Sequence, residues 1–479
     1  MLNFLPKRVF YFFFLIIVSI LSVYYLSPIF KDFWMIGLLV LYFNSKDEPL
    51  WLAFFFVISD GFMGFFGLYE ATITLLPGLP AIEIAQFYIL LSLVKIYQGK
   101  NHHFVFYYKY LRWIYAYIVF LLLWGLALGI DGEINVYFRI FKLVIPMLLF
   151  FIIPYLLTTE GDYLRLFKFL FITTILAFFT TVFDLISGQT LASYLGAREF
   201  TEVSVTGGRI YRGFYNPMIT LTSLFAALFC AGSKSIKINS VYINLVIVSA
   251  LSLALLSATR GWIIGFSMIV LLHLIFVAKA NPVKIMIFVI FAYGLVNLGM
   301  RDPVISTQIK GAWERTATVR GIVEGDEEAL ATQQRTTRRG PRVMESWRES
   351  PVFGWGFSTY GHRDGHVGNQ NLLVESGIIG LILLYSFFAY FLIILFKTGL
   401  NYFDRAYLVF IVFFIGWFFI HSTSRQFFAF RSMPADVFPQ AIFFSFGAYQ
   451  YYKMLKWRLF DRFNPSNENH SSGFDKPFK

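Results

Sequence analysis

Residues 372–396 decide the fold of this chain, because they form one long apolar run, LLVESGIIGLILLYSFFAYFLIILF. The run contains a single charged residue, Glu375, near its start. An α-helix rises about 1.5 Å per residue, so a helix of this length crosses the roughly 30 Å hydrocarbon core of a bilayer. Because a helix satisfies its own backbone hydrogen bonds in lipid, the run predicts a membrane-spanning helix.

The composition of the whole chain agrees with that prediction. The 479 residues are 57% hydrophobic and 14% charged, and they include 59 phenylalanines. Soluble globular proteins are about 45–50% apolar and about 25% charged, so we expect an integral membrane protein of many spans. The single cysteine excludes a disulfide framework and a cysteine-based metal site or redox pair. The net charge of +12 does not indicate nucleic-acid binding, because the positions of basic residues matter more than their sum.

Further apolar runs recur along the chain and predict an all-α, polytopic membrane bundle of about 12–14 spans. The run at 33–43 is too short to cross alone, so this segment is tilted, re-entrant or longer than the run itself. The first run follows Lys7 and Arg8 but lacks a small-residue cleavage site, which favours a retained helix over a signal peptide. The expected spans lie near 9–28, 33–43, 50–67, 81–98, 113–130, 137–157, 165–186, 216–232, 240–258, 261–279, 284–299, 372–396, 406–421 and 436–452.

Basic residues in the short loops predict how the bundle is oriented. Lysine-containing loops, such as those around Lys95 and Lys234, fall on one side of the expected spans. The positive-inside rule makes that side cytoplasmic and places both termini there. We therefore divide the chain into N-terminal transmembrane helices at 1–186, a transmembrane core at 187–299 with an outer loop at 187–215, a large and partly helical periplasmic or extracellular loop at 300–371, C-terminal transmembrane helices at 372–452, and a cytoplasmic tail at 453–479.

The outer face of this arrangement carries mainly arginine, whereas the inner loops carry mainly lysine. A hydrated lysine serves well as a topology charge, but the planar guanidinium group matches phosphate oxygens. The use of arginine therefore favours an anion-binding outer face. The alternative is that these arginines pair with acidic residues of the large outer loop, such as Glu324 and Asp326.

Four of these arginines stand out by their surroundings. Arg260 interrupts two apolar runs, where a charge is costly and indicates function, although a boundary arginine can also extend to the lipid headgroups. Arg209 and Arg212 precede Asn216 and a proline, a pair typical of a helix start, and a helix N-terminus favours an anion. Arg342 lies in a segment punctuated by proline and glycine, which predicts an ordered loop.

His366 is the candidate general base in the large outer loop, since histidine is suited to proton transfer near neutral pH. The alternative is that a lone surface histidine is simply solvated. Glu375, which begins an apolar helix, can orient a ligand or interact favourably with the helix dipole. Other histidines show no metal-ligand spacing, and the sequence has no Gly-rich nucleotide loop of the Walker or dinucleotide type.

Three of these segments, taken in order, resemble the signature of the O-antigen ligase and O-antigen polymerase superfamily of polytopic membrane proteins. RGFYNP at 212–217 is similar to the family's Gly-x-x-x-Asn-Pro element, and SATRG at 257–261 resembles its Ser-Arg-Gly. The stretch from Arg342 through PVFGWG at 351–356 to ESGIIG at 375–380 resembles the family's large loop and the helix start that follows it. The resemblance covers roughly residues 205–390.

The resemblance implies a glycosyltransferase that acts on an undecaprenyl-diphosphate-linked oligosaccharide at the outer face of the bacterial inner membrane. The acceptor would be a saccharide or a lipid A-core. Arginines would stabilise the diphosphate leaving group, and His366 would deprotonate the acceptor hydroxyl. The implied catalytic residues are His366, Arg260, Arg212 and Arg342, and the implied substrate-binding residues are Arg209, Asn216, Asn369, Asn371 and Glu375.

The same resemblance implies a reaction without metal or cofactor, because arginine would take the role that divalent ions play in nucleotide-sugar enzymes. Direct displacement would invert the anomeric centre, and the phenylalanine-rich helices would hold the polyprenyl tail among membrane lipids. The chain departs from the family pattern at Val367, which stands where the family has asparagine after the histidine. Either Asn369 or Asn371 takes the place of that asparagine, or the base lies elsewhere.

Two activities within the family, and one function outside it, remain open from the sequence. A ligase moves a finished glycan to an acceptor, whereas a polymerase extends the glycan by one repeat unit, and both need the same donor chemistry. A transporter of lipid-linked saccharide or another solute is the alternative, motivated by three acidic residues near spans, Asp60, Glu83 and Asp184. A transporter would also be expected to show internal repeats, and the sequence shows none.

Overall fold

The computed structural model describes residues 5–66, 70–74, 81–99, 105–130, 134–195, 202–205, 208–211, 214–233, 238–279, 299–324, 338–401 and 404–463, with a few single positions between 236 and 297. These residues form a helical bundle with two short antiparallel hairpins. The predicted all-α fold class is therefore confirmed.

The N-terminal part of the bundle consists of helices joined mostly by short turns. Helix α6 and helix α7 are continuous through a 3₁₀ turn, Ile145–Leu148, and act as one span. The elements are α1 Leu5–Tyr25, α2 Pro28–Asn44, α3 Glu48–Asp60, β1 Thr72–Ile73, β2 Ile82–Glu83, α4 Ile84–Gln98, α5 Tyr108–Leu128, α6 Ile134–Val144, α7 Leu149–Leu156 and α8 Glu160–Ser187.

The C-terminal part contains the remaining spans and the two long connections expected at 187–215 and 300–371. The first holds a β-hairpin, and the second is partly helical. The elements are β3 Glu202–Val205, β4 Gly208–Tyr211, α9 Pro217–Gly232, α10 Ser240–Leu256, α11 Arg260–Leu272 with a π-helical turn His273–Val277, α12 Pro303–Glu324, α13 Gly340–Glu349, α14 Gly368–Asn401, α15 Leu408–Thr423 and α16 Pro434–Phe463.

Within the described ranges, seven helices are long and apolar enough to cross a membrane. Three shorter apolar helices, α4, α9 and α10, lie among them. The protein is therefore a multi-pass membrane protein. The expected span at 284–299 lies mostly outside the described residues, and α16 continues past residue 452 into the segment expected to be a tail.

Two expected spans have different boundaries in the structure. Helix α2 begins at Pro28, where the fixed φ of proline suits the first helical turn, and it continues through Lys31 and Asp32, so the segment at 33–43 is longer than its apolar run. Helix α3 ends at Asp60, well before residue 67, because Gly61 adopts a φ of +75° and turns the chain out of the helix.

Contacts between helix ends define two opposite faces of the bundle. On one face, the end of α3 meets the start of α9, where Asp60 bonds the amides of Met218 and Ile219. On the other face, Lys95 pairs with Glu48, joining the end of α4 to the start of α3. We call the first the site face and the second the termini face. Because the first helix starts and the last described helix ends on the termini face, both ends of the bundle lie on the same side.

The centre of the bundle is packed with aromatic side chains. Phe443 of α16 is buried, and its ring lies 5.0–5.7 Å from five other phenylalanine rings in edge or tilted contacts. Such pairs add about 0.5–1.5 kcal/mol each beyond the burial of their area. Helix α9 is buried along most of its length and packs against α8 and α10. This rigid centre fixes the ends of α3, α9, α15 and α16 at the site face.

Candidate active site

Helix α14 carries three predicted site residues, and a break at Gly377 divides it into two parts. Gly377 has φ +62° and ψ −173°, a backbone conformation that is essentially restricted to glycine. The amides freed by the break donate to the preceding loop, Ile378 to the carbonyl of Pro351 at 3.0 Å and Ile379 to that of Val352 at 3.3 Å. The amide of Trp355 donates to the carbonyl of Val374 at 2.8 Å. The PVFGWG and ESGIIG segments therefore form a single unit.

Glycine is required where this loop meets its neighbours. A Cβ on Gly354 would lie 2.6 Å from the amide nitrogen of Gly377, and a Cβ on Gly356 would lie 2.6 Å from the carbonyl of Leu121 in α5. Both glycines also have positive φ, at +66° and +56°. The PVFGWG loop therefore packs closely between α5 and α14. This packing fixes the start of the following segment, which contains His366.

His366 is exposed, and one of its ring nitrogens is held in place. Nδ1 lies 3.2 Å from the carbonyl oxygen of Ser424, just beyond the end of α15. A carbonyl oxygen can only accept, so Nδ1 carries the hydrogen and Nε2 is the acceptor in the neutral ring. The amide of His366 donates to Asp364, which fixes the backbone as well. His366 therefore presents an unprotonated nitrogen away from Ser424.

Residues 422–432, which we call the bridging segment, contact four of the nine predicted site residues. Asn369 donates to the hydroxyl of Ser422 at 3.0 Å, and Tyr385 donates to the other side of the Asn369 amide. Asn371 accepts from the amide of Asp364 and donates to the side chain of Gln426. Asn371 thereby supports the loop that carries His366. Both asparagines have structural partners that hold the site together.

Glu375 forms a buried ion pair with Arg431 of the bridging segment. The Arg431 Nε lies 3.2 Å from a Glu375 oxygen, and the guanidinium group lies 4.6 Å from the centre of the Phe357 ring. The Glu375 side chain is 5% exposed and that of Arg431 is 13% exposed. Of the two alternatives for Glu375, the structure places it with a cation across the site, not at a helix terminus.

A second guanidinium group lies beside this pair. Arg363 donates to the backbone carbonyls of Gly356 and Tyr360, and it interacts electrostatically with both Arg431 and Glu375. Burial lowers the pKa of Arg363 to about 10, and the positive charge of Arg431 contributes to that shift, so Arg363 remains protonated at neutral pH. Two cations thus share one buried carboxylate.

A third arginine, Arg425, is held from behind by an acidic residue of α16. Its Nη2 lies 2.9 Å from a carboxylate oxygen of Asp436. In this pair, as in Arg431–Glu375 and Arg339–Asp364, the arginine is more exposed than its carboxylate. Positive charge is therefore presented outward at this part of the site face, and negative charge is buried behind it.

Asn216 occupies the helix start that the sequence predicts but does not cap it. Its backbone is left-handed, with φ +48°, and its side chain accepts from the amide of Met63 and donates to the carbonyl of Gly61. Asp60 caps α9 instead, accepting from Met218 at 3.0 Å and Ile219 at 2.9 Å. The predicted capping role was wrong, because a carboxylate from another helix reaches the same amides.

Arg260 begins α11, as expected for a boundary residue, and the next residue packs on the bridging segment. A Cβ on Gly261 would lie 1.3 Å from the Ser424 hydroxyl, so only glycine allows this approach. The turn before the helix is strained, since Ala258 has φ +49°. Gly261, which follows Arg260, and His366 therefore both approach the same residue, Ser424.

Of the other three predicted arginines, only Arg342 has a described side chain. Arg342 is exposed on α13, whose Val343 packs against Val367 beside His366. Arg209 belongs to strand β4, but its side chain is not described, and Arg212 lies outside the described residues. The structure thus brings His366, Asn369, Asn371 and Glu375 into contact with the bridging segment, and it places the start of α11, at Gly261, against the same segment. Asn216 instead binds Gly61 and Met63 at the end of α3.

Sequence reasoning missed Arg363, Arg425, Arg431 and Asp436 as individual site residues. The signal for two of them was present, because Arg425 and Arg431 flank the apolar string QFFAF between two spans. The same criterion that selected Arg260, a charge inside an apolar context, applies to both. Among the described residues, no group of three or more histidine, cysteine or acidic side chains is arranged to hold a metal ion.

The acidic residues that motivated a transporter have structural roles at helix ends. Glu83 forms a capping box with Gln86 at the start of α4. Asp184 accepts from the hydroxyl of Tyr215 at 2.6 Å and from the amide of Leu191. Together with the capping role of Asp60, these contacts account for all three carboxylates without transport.

Comparison with known proteins leaves the family of this chain open. No family model matches the sequence, and no curated protein matches it. One solved structure that is similar to this chain is titled "Structural coordination of polymerization and crosslinking by a peptidoglycan synthase complex". The two sequences are 12% identical, and the TM-score is 0.42. The aligned region covers 72% of this chain and 98% of the chain in that structure. Membership of the O-antigen ligase and polymerase superfamily therefore stays a hypothesis.

Proposed function

We propose that the protein is a membrane glycosyltransferase that transfers glycan from an undecaprenyl-diphosphate-linked donor to an acceptor saccharide or lipid A-core. The observation that carries the proposal is the contact between His366 and Ser424. It orients an exposed imidazole so that Nε2 is the acceptor in the neutral ring, next to arginines that face outward. A transferase needs this combination of a base and a cationic surface, whereas a transport path does not.

In the proposed reaction, His366 Nε2 accepts the proton of the acceptor hydroxyl as its oxygen attacks the anomeric carbon of the donor. The bond from that carbon to the diphosphate oxygen breaks, and its electron pair leaves with the diphosphate. Attack opposite the leaving group inverts the anomeric centre. The proton ends on His366 and the negative charge on the lipid diphosphate.

The departing diphosphate gains negative charge, and fixed guanidinium groups are suited to stabilise it. Arg260 is the first candidate, because it starts a helix beside Ser424 and so approaches the segment that holds His366. Arg342 and Arg212 are proposed to support the same anion, with Arg209. This arrangement supplies positive charge without a divalent ion, so the proposed reaction needs neither metal nor another cofactor.

The proposal places the site face on the outer side of the bacterial inner membrane and both termini in the cytoplasm. Membrane lipids would surround the exposed apolar helices, and the polyprenyl tail would reach the site from the bilayer. Ligase and polymerase activities use the same donor chemistry, so either fits this site. The glycan phenotype of a deletion strain separates them, since a single repeat unit on the core indicates loss of a polymerase.

The test of the proposed function is turnover by the purified protein with lipid-linked donor and acceptor. We expect His366→Ala to lower kcat by about 100-fold or more, the usual contribution of a general base, while donor binding is unchanged. His362→Ala is a matched control, because His362 is an exposed histidine in the same loop. Normal turnover of His366→Ala would show that the base lies elsewhere.

A further inference from the structure

Arg425 lies between two residues that bind the dipeptide containing the proposed base, Gly365 and His366. Its two neighbours in the chain both bind that dipeptide, Ser424 through its carbonyl to the His366 ring and Gln426 through its amide to the carbonyl of Gly365 at 2.6 Å. Arg425 is therefore bracketed by two contacts to residues 365 and 366. No other arginine in the described ranges has this relation to His366.

The Arg425 side chain is anchored at one end only. Its Nη2 donates to Asp436, whose side chain is 6% exposed, whereas the Arg425 side chain is 46% exposed. Within the described part of the chain, Nε and Nη1 make no hydrogen bond, so most of the planar donor set faces outward. The Phe427 ring, 5.8 Å from the guanidinium carbon, lies along the same side chain.

The anchor itself is held at the start of α16. Asp436 lies in the first turn of that helix and accepts from the hydroxyl of Ser432 at 3.2 Å. Asp60, at the end of α3 and bound to the start of α9, interacts electrostatically with Arg425. Arg425 is therefore bonded to one buried carboxylate and attracted by a second.

We infer that Arg425 is a further substrate-binding residue that binds the diphosphate of the lipid-linked donor, and that Asp436 positions Arg425. The inference rests on the proposed function and adds a residue to it. Guanidinium donors match phosphate oxygens in pairs, and the unbonded Nε and Nη1 of Arg425 offer such a pair. Because both chain neighbours of Arg425 contact residues 365 and 366, a diphosphate bound to Arg425 would place the anomeric carbon near the base.

The test measures binding of undecaprenyl diphosphate, without any sugar, to the purified full-length protein by native mass spectrometry. We expect Arg425→Ala to weaken binding at least about tenfold, the loss of one charge-assisted hydrogen bond. Arg425→Lys should recover part of the affinity, because the charge remains but the planar fork is lost. Arg165→Ala is the matched control, since Arg165 is a partly exposed, carboxylate-paired arginine on the termini face and should leave binding unchanged.

Asp436→Asn tests the positioning role. We expect it to raise the KM for the donor several-fold while kcat changes little, because the anchor orients Arg425 and does not touch the reacting atoms. A variant that fails to fold is replaced by Ser432→Ala, which removes one contact to the anchor and should shift KM in the same direction.

The two proposals fail in different ways. If the unaltered protein binds undecaprenyl diphosphate and Arg425→Ala binds it equally well, the assignment of Arg425 is wrong and the glycosyltransferase proposal stands. If the unaltered protein does not bind the diphosphate, the proposed donor is wrong, and the role of Arg425 is overturned with it. Equal weakening by Arg425→Ala and Arg165→Ala would also overturn the assignment, because it would reflect general charge alone.

Discussion

Arg431 and Glu375 form an ion pair across the site, with the Arg431 Nε 3.2 Å from a carboxylate oxygen and both side chains largely buried. The pair joins the broken helix α14 to the bridging segment. Its position explains why a carboxylate can stand at the start of an otherwise apolar helix: the neighbouring cations offset the cost of burying it.

Removal of one partner of this pair should strongly destabilise the fold. We expect Glu375→Ala to lower the free energy of unfolding by about 3–5 kcal/mol, because Arg431 is left buried beside Arg363 without its carboxylate. Thermal unfolding in detergent measures the loss. Glu160→Ala is the control, since the Glu160–Lys453 pair on the termini face is more exposed and should contribute roughly 0–1 kcal/mol. Equal effects of the two variants would contradict the expectation.

The break in α14 should depend on the absence of a side chain at Gly377. An alanine there would place its Cβ 2.2 Å from the carbonyl oxygen of Val352 and would occupy a strained backbone conformation that costs about 1–3 kcal/mol. We expect Gly377→Ala to lower the unfolding temperature and to displace the PVFGWG loop. Gly37→Ala is the matched control, because nothing lies within 4 Å of its Cβ position. Comparable thermal stability of the two variants would refute the role of Gly377.

The guanidinium group of Arg260 should be required for transfer and not for folding. We expect Arg260→Lys to reduce turnover by about 100-fold, since an ammonium group keeps the charge but cannot make the planar contact with phosphate oxygens. Unchanged elution on size-exclusion chromatography would show that the variant folds. Arg165→Lys on the termini face serves as control. Full turnover of Arg260→Lys would remove Arg260 from the diphosphate site.

Chelation should leave the proposed reaction intact, because arginines supply the positive charge that a divalent ion would otherwise provide. We expect EDTA-treated protein to transfer glycan at the untreated rate in a purified system with lipid-linked donor. Loss of turnover on EDTA treatment, followed by recovery on addition of magnesium, would contradict a metal-independent mechanism.

The fold class was predictable because lipid imposes a simple rule, that long apolar runs become helices. The boundaries were harder to predict. The hydropathy pattern predicted that the second span starts after Lys31 and Asp32, although helix α2 includes both residues. The same pattern predicted that α3 continues past Gly61, where the backbone in fact leaves the helix. Hydropathy measures composition, whereas both boundaries depend on local backbone geometry and a neighbouring charge.

The site was predictable only for residues whose neighbours in the sequence are unusual for that residue type, such as a charge between two apolar runs. Arg260 and His366 were both selected from their surroundings; His366 contacts Ser424, and Gly261, next to Arg260, packs against the same residue. The capping role of Asp60 could not be found in this way, because its partners lie on another helix far along the chain. Arg425 and Arg431 were missed individually because their significance depends on buried carboxylates from other elements, which sequence spacing does not reveal.

The capping of α9 by Asp60 limits how far the protein can be reduced. The family resemblance spans roughly residues 205–390, yet the acid that secures the start of α9 comes from α3, and the bridging segment follows that span. A fragment trimmed to the recognisable stretch would lack Asp60, Arg425 and the Ser424 carbonyl that orients His366. The smallest unit able to assemble this site therefore includes helices from both ends of the bundle.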